Sequence, residues 1–220
     1  SFVNSKQRRI PVSLDAPIFT LTHTMGIKGV LGSDYSFNRT EASVWKRIWL
    51  PSSWGKVDCS LKAGAEWNTV PFPLLILPEA NLSYITQRET FNLINNMEFL
   101  NDRFASISLS YDMNGKLFNR IPLIKNLKWR EMFRVRALWG TLTDKNNPFK
   151  SSNSDLFRFP TRDGKFTSFV MDPKIPYVEA SVGIYNIFKL LHVEYVHRFT
   201  YRDNPGINKN GIRFMVLMVF

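Results

Sequence analysis

Residues 55–68 read GKVDCSLKAGAEWN, and their side chains alternate strictly in character. Val57, Cys59, Leu61, Ala63, Ala65 and Trp67 fall on one face of an extended chain. Lys56, Asp58, Ser60, Lys62, Gly64, Glu66 and Asn68 fall on the other. A period of two belongs to a β-strand whose two sides meet unlike surroundings. The run is also long. Strands in soluble sheets usually stop at about five or six residues, whereas about 9–11 cross a bilayer when tilted.

The pattern recurs. ASISLSYD sets Ala105, Ile107, Leu109 and Tyr111 against Ser106, Ser108, Ser110 and Asp112. FRVRALWGT sets Phe133, Val135, Ala137 and Trp139 against Arg134, Arg136 and Gly140. YVEASVGI opposes Val178, Ala180, Val182 and Ile184 to Glu179, Ser181 and Gly183. LLHVEYVHRFTYR opposes Leu191, Val193, Tyr195, Phe199 and Tyr201 to His192, Glu194, Arg198, Thr200 and Arg202, with His197 interrupting the apolar face. Weaker alternation near 17–25, 35–50 and 92–101, and a terminal strand over about 211–220, bring the expectation to about nine strands, within a range of eight to ten. No repeat of 20–50 residues is present. The fold class is all-β and antiparallel.

The connections are unequal. NDR at 101–103 reads as a tight turn, YRDNPGINKNG as a moderate Pro/Gly/Asn loop, and GIKGVLG as a flexible turn. By contrast, 69–91 and 144–176 are long irregular stretches, and such loops usually have a task. An insert at 115–130 breaks the period. Its Leu117, Ile121, Ile124 and Leu127 approximate helical spacing, with Pro122 expected to limit the helix.

Composition trims the function classes. Mean hydropathy is −0.18, and no apolar run approaches the roughly 18–20 residues of a membrane helix. The net charge of +11 invites anionic partners, but the Lys and Arg residues are scattered and no nucleic-acid motif appears, so nucleic acid is not expected. A single cysteine, Cys59, excludes an internal disulfide or a cysteine cluster. His192 and His197 are five apart, on opposite faces of a strand, which defeats a metal pair. No G-x-S-x-G, H-E-x-x-H or P-loop pattern occurs, so no catalytic, cofactor or metal residue is assigned. The opening SFVNSKQRRI has neither initiator Met nor signal h-region, so the chain is expected to be a piece of a longer one.

Alternation alone does not tell a soluble sandwich, apolar face inward, from a membrane barrel, apolar face outward. Four features favour the barrel. The strands are long. Trp49, Trp54, Trp67, Trp129, Tyr111, Tyr177 and Tyr201 recur near strand ends, where amphipathic rings suit a headgroup zone. The polar faces carry both signs, so Lys62, Glu66, Arg134, Arg136, Glu179, Glu194 and Arg198 are expected to line a lumen. Finally, KNGIRFMVLMVF has Gly211, then hydrophobics at alternate positions, Phe214, Val216, Met218 and Phe220, and closes on an aromatic. This resembles the C-terminal assembly signal of bacterial outer-membrane barrels. Met215, Leu217 and Val219 make the second face apolar too, a face expected to pack on an insert inside the lumen.

Two stretches together resemble one bacterial family: FNLINNMEFLNDRFASISLSYDMNGKLFNRIPLIKNLKWREMFRVRALWGTLTDKNNP and PYVEASVGIYNIFKLLHVEYVHRFTYRDNPGINKNGIRFMVLMVF. Its members join a carboxypeptidase-regulatory-like β-sandwich to a C-terminal outer-membrane barrel akin to surface-antigen and BAM-type barrels. The resemblance is strongest over 68–220 and extends to 10–67. It implies that 1–220 is the C-terminal portion of such a barrel, part of a larger one, in the bacterial outer membrane. It implies no activity. The expected role is envelope assembly, translocation or transport, in contact with outer-membrane lipid, lipopolysaccharide, barrel-assembly machinery and other envelope proteins. A soluble β-sandwich or lipocalin-like binding module is the alternative. A rim-active outer-membrane hydrolase comes third.

Overall fold

Period-two segments pair with their sequence neighbours, and the result is one antiparallel meander. It is seen in a computed structural model that describes residues 2–5, 8–11, 16–30, 32–87, 89–150 and 156–216. A short hairpin, β1 (Phe2–Ser5) and β2 (Arg8–Pro11), comes first. The main sheet follows: β3 (Ile18–Gly26), β4 (Phe37–Trp49), β5 (Lys56–Glu66), β6 (Arg103–Asp112) and β7 (Arg130–Thr141). A two-residue-strand hairpin, β8 (Thr161–Arg162) and β9 (Lys165–Phe166), interrupts. Then β10 (Tyr177–Ile187), β11 (Leu191–Arg198) and β12 (Asn210–Val216) complete the sheet. The order across it is β12-β11-β10-β7-β6-β5-β4-β3. Among the described residues β3 and β12 do not pair with each other, so the sheet is open.

Because consecutive strands are antiparallel, the connections alternate between two ends. One end carries the short links 50–55 and 188–190 and the insert 113–129. The other carries 27–36, 67–102, 142–176 and 199–209. The insert holds a one-turn 3-10 helix, Phe118–Arg120, and then α1 (Pro122–Leu127), only six residues long. Pro122 begins α1 rather than limiting it: at the first helical position its missing N–H costs nothing and its fixed φ suits the turn. Lys128, at φ 55°, ends it.

Several expectations change. The stretch 92–101 is not a strand. It bears only isolated bridges, Ile76 with Asn101 and Phe99 with Phe169, and most of its residues are buried. It belongs to a long segment, 70–102, folded onto the concave side of the sheet. The reach of the 69–91 loop was therefore underestimated. Met218 and Phe220 lie outside the described residues, as does part of the 144–176 loop.

The dry core sits under the long connections, not at mid-sheet. Phe91, Ile94, Phe99, Leu138, Met171 and Tyr177 form one cluster; Val70, Leu75, Leu100, Leu142 and Phe159 form another. Both join loop residues to the inward ends of strands. Gly140 on β7 permits the close approach, since a Cβ there would lie 2.2 Å from Asn101 Oδ1. Two aromatics change roles accordingly. Tyr177 is fully buried, edge-on to Phe91 and Phe99, and Tyr201 packs against the same cluster. Neither faces outward as a headgroup ring. Burial raises the pKa of the Tyr201 hydroxyl, which donates to the Ile175 carbonyl at 2.7 Å.

Candidate functional site

The register assigns each alternating side chain to a face. One row across the sheet pairs Trp45, Ser60, Ser108, Arg136, Glu179 and Arg198 on the concave side. A row on the opposite side pairs Ile48, Val57, Tyr111, Phe133, Val182, Tyr195 and Ile212. Another joins Phe19, Val44, Leu61, Ile107, Ala137 and Val178. Burial sorts with the face and runs against polarity. Leu61, Val135 and Val182 are each about half exposed at 45, 45 and 46 %, whereas Arg136 and Glu194 are 2 and 1 % exposed.

Buried charge is costly unless paired and hydrogen-bonded. Here the charges are paired. Arg134 Nη1 lies 2.9 Å from both oxygens of Glu194, which also accepts the Ser181 hydroxyl. His192 Nε2 sits 3.4 Å from the same carboxylate. Because Ser181 and His192 both address Glu194, the hydroxyl donates to the acid and not to the imidazole. Arg136 Nη1 meets Glu179 at 3.1 Å. Arg198 grips Glu98 bidentately at 2.5 and 3.0 Å, both side chains wholly buried.

These pairs also fasten the segment 70–102 to the sheet. Glu179 accepts the backbone N–H of Asn92 and of Leu93, at 2.9 and 3.1 Å, and the Tyr177 hydroxyl. Arg213 donates to the Asn92 carbonyl, and Arg39 to that of Leu74 at 2.6 Å. Lys62 Nζ reaches Glu79 and Glu89 at 2.9 and 3.1 Å. Glu66 accepts the Asn38 and Asn68 N–H groups near the strand end. Asp102 accepts from Thr143 and Asn146. The segment is therefore held on the inner face of the sheet by charge-assisted bonds, the strong kind. Between it and strands β4–β7 a cavity of about 380 Å³ remains, lined by Ser60, Ser106, Ser108 and Ser110 on the sheet and by apolar side chains such as Leu77, Phe91 and Phe104.

Of the seven predicted interior charges, Glu66, Arg134, Arg136, Glu179, Glu194 and Arg198 are buried on this face, and Lys62 is half-buried there. Gly211 lies on the concave side of β12, while Phe214 and Val216 lie on the convex side, 43 and 62 % exposed. The inward Met215 stands opposite His192. Glu98, Asp102 and Arg213 were not anticipated. Arg213 shares its parity with Gly211 and Met215, a legible signal. Glu98 and Asp102 have none, for their partners lie far along the chain. Among the described residues no group of three His, Cys, Asp or Glu could hold a metal ion.

Residues 1–150 match the C-terminal-domain model of a family of unknown function, DUF5686. The chain belongs to that family. The DUF5686 match spans 1–150, whereas the sequence resemblance weighed most heavily on 68–220. It therefore includes β3–β7 and the whole segment 70–102, and ends before β10–β12. A comparison with curated proteins finds no match.

Proposed function

We propose that this DUF5686 domain is part of a transmembrane β-barrel of the bacterial outer membrane, the C-terminal portion of a larger barrel. Its role in this reading is envelope assembly, translocation or transport. The observation that carries it is the inversion: the exposed convex face is apolar, and the covered concave face is charged. Fourteen large apolar side chains of the main strands are at least 38 % exposed on that convex face, among them Phe19, Leu21, Leu61, Phe133, Trp139 and Phe214. Left in water, each forgoes about 1 kcal/mol or more of transfer free energy, on the order of 10 kcal/mol together. That rivals the whole stability of a domain. A hydrocarbon surround removes the deficit.

Two further features support the reading. Short links at one end and long connections at the other follow the habit of outer-membrane barrels. Sheet edges in lipid need partners, so the open edge of β3, and that of β12 beyond its one bridge to Ile85, call for further strands. The segment 70–102 then occupies the lumen as a plug, with the cavity beside it. Lipid and lipopolysaccharide would surround the barrel, and barrel-assembly machinery would handle its terminal strand.

The full chain should fractionate with membranes, resist alkaline carbonate extraction and migrate differently on gels when unheated. Leu61→Arg, on the convex row, should cost about 2–4 kcal/mol of stability in lipid near midplane. A chain that is monomeric and stable without detergent, with Leu61→Arg neutral, overturns the proposal.

A further inference from the structure

We propose that the short-connection end of the sheet lies against a leaflet of anionic phospholipid and binds its headgroup phosphates, an inference that rests on the membrane-spanning reading above. The two ends differ in charge. The connections 50–55, 113–129 and 188–190 contain five basic residues, Lys116, Arg120, Lys125, Lys128 and Lys189, and no acidic one. The four connections at the other end contain ten basic and ten acidic residues. The positive excess of the loops is thus confined to one rim.

That rim is also apolar and exposed. Leu123 is 82 % and Phe188 79 % exposed, and Leu117, Ile121, Leu127 and Leu190 are each above 40 %. Leu123 and Leu127, four apart on α1, share a helix face, while Lys125 and Lys128 flank it. Basic side chains interleaved with apolar ones suit a headgroup boundary: the stems and rings enter the acyl edge and the ammonium groups meet phosphate. Each such charge near an anionic surface adds to the attraction, which salt screens.

The three links form one continuous rim. Lys116 Nζ donates to the Ser52 carbonyl at 2.9 Å and lies 5.1 Å from the Trp54 ring centre. The Tyr111 hydroxyl donates to the Trp54 carbonyl at 3.0 Å. On the other side, Asn186 donates to the Lys128 carbonyl at 2.7 Å. The insert is therefore anchored to the turns before and after it, and α1 is held where the strands emerge. A neutral or acidic protein surface would satisfy the charges or the apolar side chains; an anionic leaflet satisfies both along a whole edge.

The test uses the full chain with Cys59→Ser and a nitroxide on either Leu123→Cys or Val182→Cys, reconstituted in vesicles. Collision with dissolved oxygen and with a water-soluble nickel chelate reports depth. In phosphatidylcholine vesicles containing phosphatidylglycerol, the label at 123 should lose nickel access severalfold relative to pure phosphatidylcholine. High salt, or the variant K116Q/R120Q/K125Q/K128Q, should abolish that difference while the label at 182 stays in hydrocarbon. If the label at 123 is equally wet in both vesicles while 182 reads hydrocarbon, the proposal fails and the spanning reading survives. Shielding of 123 only in bilayers bearing lipopolysaccharide also overturns it. A label at 182 that reads water overturns the spanning reading and the proposal with it.

Discussion

Arg198→Met should destabilise the folded chain by about 3–5 kcal/mol in chemical denaturation of detergent-solubilised protein. The size comes from what is left behind. Glu98 is wholly buried, and among the described residues its only charged partner is Arg198. Without it the carboxylate keeps the Asn95 N–H and the Asn204 amide, but no positive charge. Arg198 also donates to the carbonyls of Thr200 and Tyr201, at 3.0 and 2.8 Å, so the loop after β11 loosens as well. The double variant R198M/E98Q tests the cause. It removes both charges and keeps one carbonyl acceptor, enough for Asn95 or Asn204 but not for both, since the two donate to different oxygens of Glu98. It should be more stable than R198M alone, although it carries one more substitution. A double variant that is less stable than the single one would mean that the buried charge is not the source of the loss.

Phe99→Ala should cost a similar amount, about 3–5 kcal/mol, by opening a cavity in the dry core. Phe99 is fully buried, with Tyr177 and Tyr201 edge-on at 5.9 and 5.1 Å between ring centres. It lies on the segment 70–102, so the loss should appear first as faster amide exchange over 91–101, with β5–β7 protected for longer. The Arg198 guanidinium carbon sits 5.9 Å from the Phe99 ring centre. The two substitutions therefore share a partner, and together they should cost less than their sum. Strict additivity, or uniform exchange across the sheet, would contradict the picture of a separately fastened inner segment.

Much of this was legible in the sequence because parity is a local property. Arg134 and Arg136, two apart, and Glu179 and Glu194, each flanked by apolar residues, announce an inward face by alternation within their own strands. Tyr177 could have been placed by the same rule, since it shares parity with Glu179 and Ser181; proximity to a strand end misdirects it toward a membrane boundary. The stretch FNLINNMEFL was harder. It is apolar enough for a strand, yet its alternation is weak, because it is enclosed on several sides as filling rather than sheet. The partners that enclose it, Glu179 and Arg198, lie 87 and 100 residues from Asn92 and Glu98. No local pattern records such distant pairing. The open edge is likewise a fact of register, not of composition.

The outer border of β12 is already in use. Phe214 donates its N–H to the Tyr84 carbonyl at 2.7 Å and accepts from the Thr86 N–H at 2.6 Å, a parallel bridge centred on Ile85. Any incoming strand that zips along this border must first evict those three residues from their seat. If the proposed barrel closes along this border, seam closure and inner-segment docking compete for the same two backbone groups, and a chain that docks early would block its own suture until that small latch lets go.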